Sequence, residues 1–585
     1  MSGSLLVVLI AARLAVLWGR PLPVSPWLPL AFLWQDLAIV LLFALFERLV
    51  HRPWLVRVVY AALLALIVIN LPVARVLSSP ITVRMLGAAR GTLADSFRYH
   101  ATPANLVLTI GLLVVGIVLP MVWRRRMQLG RNWAVAGALA VLVGPFAAAR
   151  VDTAGLERNP VIALARTSFP RLRAESGTAD WRASIHQRQP ADDLSDLRTV
   201  AAGQSVLLVV LESTGASYLR PYGALDDPTP NLTRLAAQSI VFDHAYAVYP
   251  ESVKGLVALL ASRFPGFDLD AARHRNLMSP SIATELNAAN YETALFHSGR
   301  FFYLGMDEVL AGSGFSTLED AGDIGGNQSS SFGIDESSAV KRILRWIDVV
   351  PAGKPFFAAY LPIAGHHPYA YSMPGPFSAD QEVGRYKNAL HEGDAALGEL
   401  LEGLRARGLD ASTTIIVIGD HGEAFGQHPG NYGHSLALYE ENVRVPFLIH
   451  GPGIQSRRVQ RTVSLLDFSP TVLDLLGLPQ PGAFSGMSVL SSQPRMALFF
   501  ADYSLGLLGL RDGCNKFIYE LESGRSKLFD ICRDPHETTL IGDRRISAAY
   551  ERRLRQWSAA ELARVLESPQ RQGSQSFTGV NAGPR

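Results

Sequence analysis

The strongest restriction on this chain is the run of apolar segments before residue 151. Residues 3–19, 28–48, 55–77, 104–123 and 132–150 each approach the ~20 apolar residues needed to cross a bilayer core. Inside a bilayer only a helix satisfies every backbone group within one segment, so these five stretches predict five membrane helices. The first, GSLLVVLIAARLAVLWG, is short and carries Arg13. It has no basic leader and no cleavage site, so it reads as a first span rather than a signal peptide. Arg48, Arg52 and Arg57 follow the second span, and Arg124, Arg125, Arg126 and Arg131 follow the fourth. With five spans these loops share one side, which the positive-inside bias makes the cytoplasm. Arg75, Arg84, Arg90 and Arg98 are dispersed around the long loop 78–103 and do not reverse the bias. The N-terminus is then cytoplasmic, and everything after residue 151 is extracytoplasmic, at a bacterial inner membrane.

Charge excludes one class of partner. The formal net charge over 585 residues is +3, so no nucleic-acid partner is expected. Cys514 and Cys532 flank a predicted hairpin, CNKFIYELESGRSKLFDIC, and counting out from its turn brings them within cross-strand reach. An oxidising compartment would allow a disulfide there; two buried thiols are the alternative.

The chain divides into membrane helices (1–151), a juxtamembrane connector (152–203), a globular domain (204–565) and a polar tail (566–585) whose composition predicts disorder. In the globular part, apolar runs at 205–211, 292–297, 355–361, 413–418 and 445–449 predict strands. They alternate with helical patterns at 230–239, 253–262, 335–349 and 380–407. Buried strands alternating with helices predict an α/β fold with a mostly parallel sheet covered on both faces. Residues 498–532 read as a later antiparallel addition.

In such sheets the functional site lies beyond the carboxyl ends of the strands. Glu212 follows the first run, His297 ends the second, and His366 and His367 follow the third. Asp420 and His421 follow the fourth, and His434 lies farther on in YGHSLALYEENVRVP. Two carboxylates and several histidines converging from separate strand ends predict a divalent-metal site with nitrogen and oxygen ligands. Glu423 and His428, close by, read as solvated loop residues.

The stretch YPESVKGLVALL (249–260) places Ser252 at a predicted helix start. A serine there caps the helix, and the same position suits an anion. Lys254 reads either as a solvated lysine or as a phosphate contact.

The motifs VLLVVLESTG (206–215), GHHPY (365–369), VIGDHGEAFG (417–426), GHSLALYEENVRVPFLIHGPG (433–453) and LFDICRDPHE (528–537) resemble the alkaline phosphatase and sulfatase superfamily. More narrowly, the chain resembles its membrane-anchored branch of lipoteichoic acid synthases, phosphoglycerol transferases and phosphoethanolamine transferases. The resemblance covers about residues 200–540. It implies Glu212, Ser252, Asp420 and His421 as ligands of one Mn2+, Mg2+ or Zn2+. It also implies Ser252 as nucleophile, where the transferases generally have Thr, His366 and His434 as substrate or leaving-group contacts, and His297 as a less certain participant. The formylglycine signature of sulfatases, C/S-x-P-x-R, is absent, because Val253, Lys254, Gly255 and Leu256 follow Ser252. LYEENVRVP, conversely, is closer to soluble sulfatases.

The expected function is transfer of a phosphoglycerol- or phosphoethanolamine-type headgroup from a membrane phospholipid donor to a glycan or lipid acceptor. Hydrolysis of sulfate or phosphate esters is one alternative, and a catalytically silent binding protein is another.

Overall fold

The structure, a computed structural model, describes residues 1–20, 22, 24–88, 100–122, 131–169, 171–172, 182–185, 192–269, 271–330 and 332–567. The arginines expected at 90, 98 and 124–126, and the expected disordered tail beyond 567, lie outside these residues.

The apolar segments form helices α1 (Ser2–Leu17), α2 (Leu28–Leu49), α3 (Pro53–Leu77), α4 (Pro103–Val122) and α5 (Arg131–Ala148). α2, α3 and α4 are long and apolar enough to cross a membrane; α1 and α5 are shorter apolar helices. α1 stops at Leu17 because Trp18 turns extended and Gly19 takes a positive φ of 79°.

Contacts at the helix ends show that the helices alternate in direction. The N-terminal amine meets Glu47 at the end of α2, and Arg20 past α1 reaches Ser78 past α3. Arg75 in α3 donates to Asn105 at the start of α4, and Trp27 before α2 stacks edge-on with Phe146 of α5. The ends of α1, α3 and α5 therefore gather on the side of the globular domain.

Arg13, the residue that weakened the first apolar segment, is buried. Its guanidinium donates at 3.0 Å to both oxygens of Asp36 on α2, and Asn159 of the connector donates to Asp36 at 2.7 Å. A charge among apolar helices is tolerated when paired and hydrogen-bonded in this way. The pair ties α1 and α2 to the connector.

The globular domain is built on a nine-stranded sheet. Its strands are β1 (Ser205–Leu211), β2 (Ile240–Tyr246), β3 (Glu292–His297), β4 (Thr317–Glu319), β5 (Phe356–Leu361), β6 (Thr413–Gly419), β7 (Arg444–Val445), β8 (Phe447–His450) and β9 (Arg457–Ser464). They run in the order β7-β2-β8-β6-β1-β5-β3-β4, with β9 also paired to β2. β6, β1, β5, β3 and β4 are mutually parallel. β8 is antiparallel to both of its neighbours. β1, β5 and β6 are predominantly apolar and almost wholly buried, as expected for strands covered on both faces.

The run at 445–449 is broken at Pro446, which has no N–H for the ladder, into β7 and β8. β2 and β9 were not anticipated: IVFDHAY and RRVQRTVS interleave charged residues with apolar ones. The last sheet, β10 (Ala497–Ala501), β11 (Leu507–Asp512), β12 (Asn515–Glu520) and β13 (Ser526–Asp530), is antiparallel throughout. Cys514 and Cys532 form a disulfide across its β12–β13 pair, with Cα atoms 5.2 Å apart. Part of the connector belongs to the domain, since Leu194, Leu197 and Ala201 sit in its main core.

Candidate active site

Strand register assembles the floor of the site. β1 and β6 lie side by side in parallel with Leu211 opposite Gly419, so the next residues, Glu212 and Asp420, emerge together. The Asp420 N–H donates to the Leu211 carbonyl at 3.2 Å. Glu212, Asp420 and His421 are all buried, and one ligand atom from each lies within 4.8 Å of the other two. The His421 Nδ1–H donates to the Gly422 carbonyl at 2.9 Å, which leaves the Nε2 lone pair facing the carboxylates.

Ser252 completes the cluster. It is the first residue of α6 (Ser252–Ala261), and its hydroxyl donates to Glu212 Oε2 at 2.8 Å and lies 3.3 Å from His421 Nε2. The cap of this helix is Glu251, whose carboxylate accepts from the Val253 N–H at 2.7 Å. Capping and the site hydroxyl thus fall to neighbouring residues, and Ser252 is not the cap. It is half-buried, above a buried floor.

The electrostatics point to a cation. Burial pushes the Asp420 carboxyl well up, and the neighbouring charge of Glu212 adds to the effect. Burial also opposes ionisation of Glu212, yet His421, His366, the Ser252 hydroxyl and His434 together hold it low. Burial lowers His421 to about 4, so it is a neutral donor. Two adjacent buried carboxylates, a neutral imidazole and a hydroxyl form an oxygen-and-nitrogen donor set that fits one divalent ion. Asp420 Oδ1 also accepts from the backbone N–H groups of Ser213 at 2.9 Å and His421 at 2.7 Å, which fixes the carboxylate.

His434 stands at the rim. Its ring centroid is 4.3 Å from that of His421, and its Nδ1–H donates to Glu423 Oε2 at 2.7 Å. Burial alone would lower His434, but the Glu423 charge and hydrogen bond raise it overall. Glu423 is 2% exposed and also accepts from the Tyr369 hydroxyl at 2.9 Å. It is therefore a buried orienting group for His434, not the solvated loop residue expected. His428 is likewise engaged: its Nδ1–H donates to Glu441 at 2.7 Å, and its ring stacks on Tyr439 at 3.6 Å.

The remaining expectations divide. His366 lies half-buried against Phe332, at 4.3 Å between ring centroids, with its Nδ1–H donating to the His367 carbonyl at 2.6 Å. His367 stacks on His100, just before α4. His297 is buried at the end of β3, donates from Nδ1 to the Leu361 carbonyl at 2.8 Å, and is lowered by burial. Its Nε2 packs against Gly299, where a Cβ would come within 2.4 Å of it.

Lys254 is neither solvated nor set as a phosphate contact. Its ammonium is buried, donates to Asp502 at 2.6 Å and lies 4.1 Å from the centre of the Tyr249 ring. One residue pitch decides this: Ser252 and Lys254 are about 200° apart around the helix, so they face opposite ways.

The Sulfatase family model matches residues 204–478. Arylsulfatase K from Bos taurus is 32% identical over 220 residues, covering 33% of this chain and 40% of that protein. Lipoteichoic acid synthase 2 from Bacillus subtilis (strain 168) is 23% identical over 237 residues, covering 38% and 36%. The chain thus spans less than half the length of these curated relatives. Among solved structures, lipoteichoic acid synthase LtaP from Listeria monocytogenes superposes with a TM-score of 0.54 at 18% identity, over 64% of this chain and 95% of that one. A protein in the alkaline phosphatase superfamily from Vibrio parahaemolyticus gives 0.52 at 19% identity, over 68% and 91%.

Proposed function

Because the Sulfatase family model matches residues 204–478, we propose that the chain is a membrane-anchored phosphoryl-headgroup transferase with Ser252 as nucleophile. The observation that carries this reading is the Ser252 hydroxyl, at the start of a helix and within hydrogen-bond reach of Glu212 and His421, in a chain with three N-terminal helices long and apolar enough to cross a membrane. The donor is a membrane phospholipid. The acceptor is a hydroxyl of a glycan or lipid on the outer side.

The helices alternate, and Arg48, Arg52 and Arg57 lie at the bundle end opposite the domain. The positive-inside bias then puts that end in the cytoplasm and the domain outside. The Cys514–Cys532 disulfide supports an oxidising, extracytoplasmic setting.

In the proposed first step, Ser252 Oγ attacks the phosphorus of the donor. Its proton passes to Glu212, which already accepts it in a hydrogen bond. An Oγ–P bond forms and the P–O bond to the diacylglycerol oxygen breaks. His434, kept protonated by Glu423, gives that oxygen its proton. In the second step an acceptor hydroxyl attacks the phosphorus and loses its proton to the now neutral His434, while Ser252 leaves and recovers its own proton. Glu212, Asp420, His421 and Ser252 would hold a divalent ion, which would lower the pKa of the serine hydroxyl and neutralise charge on the phosphoryl oxygens.

Arylsulfatase K supports a second reading, hydrolysis of a sulfate or phosphate ester. Against it stands the segment Val253–Leu256, which lacks the Pro and Arg of the formylglycine signature. The test is a phospholipid labelled in its headgroup, incubated with the full chain in the presence of a glycan acceptor. Label appearing in the acceptor, and absent with Ser252→Ala, supports transfer. Label released only to water supports the hydrolase.

A further inference from the structure

A cavity of about 350 Å3 lies between the membrane helices and the globular domain, within the range of organic-ligand sites. The pocket beside His366 offers about 20 Å3 by comparison, little more than a water. One wall of the cavity is the end of α3 at Leu77 and Ser78, and another is the chain leaving α5 at residues 149–154. The facing wall is the antiparallel sheet, with Leu507 and Ile518 presenting apolar surface.

Its depth relative to the bilayer is marked by side chains. Arg150 lies over Phe146 at 4.0 Å and over Trp27 at 5.4 Å, at the shared end of α5 and α2. An arginine with aromatic rings at helix ends belongs to the headgroup layer. The cavity begins at that level, with Leu77 on its helix side and the antiparallel sheet of the globular domain facing it.

Its charge is matched to a phosphate. Arg150, Arg525 and Lys527 line it against Asp152 and Glu520, leaving one cation in excess. Lys527 is held by Asp152 at 2.7 Å, and Arg525 by Glu520 at 3.2 Å. Arg150 has no carboxylate partner among the described residues. We infer that this cavity binds one membrane phospholipid, its phosphodiester against Arg150 and the upper part of an acyl chain against Leu77 at the end of α3.

The cavity also touches the catalytic loop, because Pro429–Asn431 and Leu436–Tyr439, on either side of His434, line it. A lipid seated there would press on the segment that positions His434. The inference goes beyond the transferase reading and does not depend on it, since a membrane-anchored hydrolase would present the same cavity.

The test uses the full chain in nanodiscs of phosphatidylethanolamine with a small fraction of phosphatidylglycerol bearing an acyl-chain diazirine. After irradiation, cross-links are mapped by peptide mass spectrometry. The inference expects cross-links on residues 149–155, 429–440 and 505–507. The double variant Ala149→Trp/Ser526→Trp, which fills the cavity, should reduce these cross-links about tenfold while those on the outer faces of α4 and α5 persist. Soluble glycerol phosphate should not compete. Cross-links confined to the outer helix faces in the wild-type chain would overturn the inference, whatever the variant does. Competition by glycerol phosphate as effective as by lipid would also overturn it, by making the cavity a site for free phosphate. A Ser252 adduct formed equally well by wild type and variant from a short-chain, water-soluble phosphodiester would show that the transferase reading stands whichever way the cavity is decided.

Discussion

Replacing Lys254 with Met separates a structural lysine from a substrate contact. In the wild-type chain Asp502 is wholly buried and accepts from Lys254 Nζ at 2.6 Å, from the Tyr249 hydroxyl at 2.6 Å and from the Asp268 N–H at 2.7 Å. Methionine fills the lysine stem's volume but leaves the carboxylate without its cation. Breaking a buried pair from one side costs about 3–5 kcal/mol, and the two remaining donors place this site near the lower end. For a domain of this size, ~3 kcal/mol corresponds to a melting temperature lower by roughly 4 °C.

The pH dependence follows from the same pair. Although burial opposes it, Lys254 and the hydrogen bonds hold Asp502 well below the usual carboxylate range. A depressed carboxylate contributes stability above its unfolded value, near ~4, and loses it as pH falls through the folded one. Without the ammonium, Asp502 protonates more readily, so the deficit of Lys254→Met should be largest at neutral pH and shrink below about pH 4. Differential scanning fluorimetry of the purified full chain from pH 3.5 to 7.5 reads this, with Lys254→Met/Asp502→Asn expected to recover most of the loss. An unchanged melting temperature together with a raised KM would refute the reasoning and restore Lys254 as a substrate contact.

Other outcomes follow from the site. Glu423→Gln should remove the charge that keeps His434 protonated; its pKa then falls, and the alkaline limb of the kcat profile moves to lower pH, with a rate loss on the order of 10²-fold. Metal analysis of the purified chain should show one divalent ion per chain that is lost in Glu212→Gln and Asp420→Asn, and chelation should abolish an activity that added metal restores in wild type only. Cys514→Ser/Cys532→Ser opens an 18-residue separation and should lower stability by about 3 kcal/mol at most, read as a shift in denaturant midpoint. Asp36→Asn should loosen the bundle by uncoupling Arg13 and Asn159 from α2, read as faster proteolysis of the connector near residues 156–169.

The parts of the fold that rest on a single strong periodicity were legible. Uniform apolar runs gave the central strands, and long apolar segments gave the bundle, because both burial patterns are written along one stretch of chain. β2 and β9 were missed since their charged residues, such as Asp243 and Arg458, are satisfied by one another across the sheet, a pairing invisible in either segment alone. In the site, Glu212, Asp420 and His421 could be found because each follows a buried strand. Glu423 and Lys254 were misread for a shared reason: their roles are set by distant partners. Tyr369 and His434 turn a loop glutamate into a buried orienting group, and Asp502, 248 residues from Lys254, turns a helix-start lysine inward. The position next to Ser252 taught the same lesson on a smaller scale, where the long carboxylate of Glu251 caps a helix that a serine could have capped.

The central claim is that Ser252 becomes covalently phosphorylated with a lipid headgroup. Intact-mass spectrometry and peptide mapping of the full chain, quenched in acid after exposure to candidate phospholipids, test it directly. The account predicts a headgroup-phosphate adduct on the peptide bearing Ser252, absent from Ser252→Ala. A Ser252 peptide lighter by two hydrogens, the mass of formylglycine, would contradict it and make the chain a sulfatase.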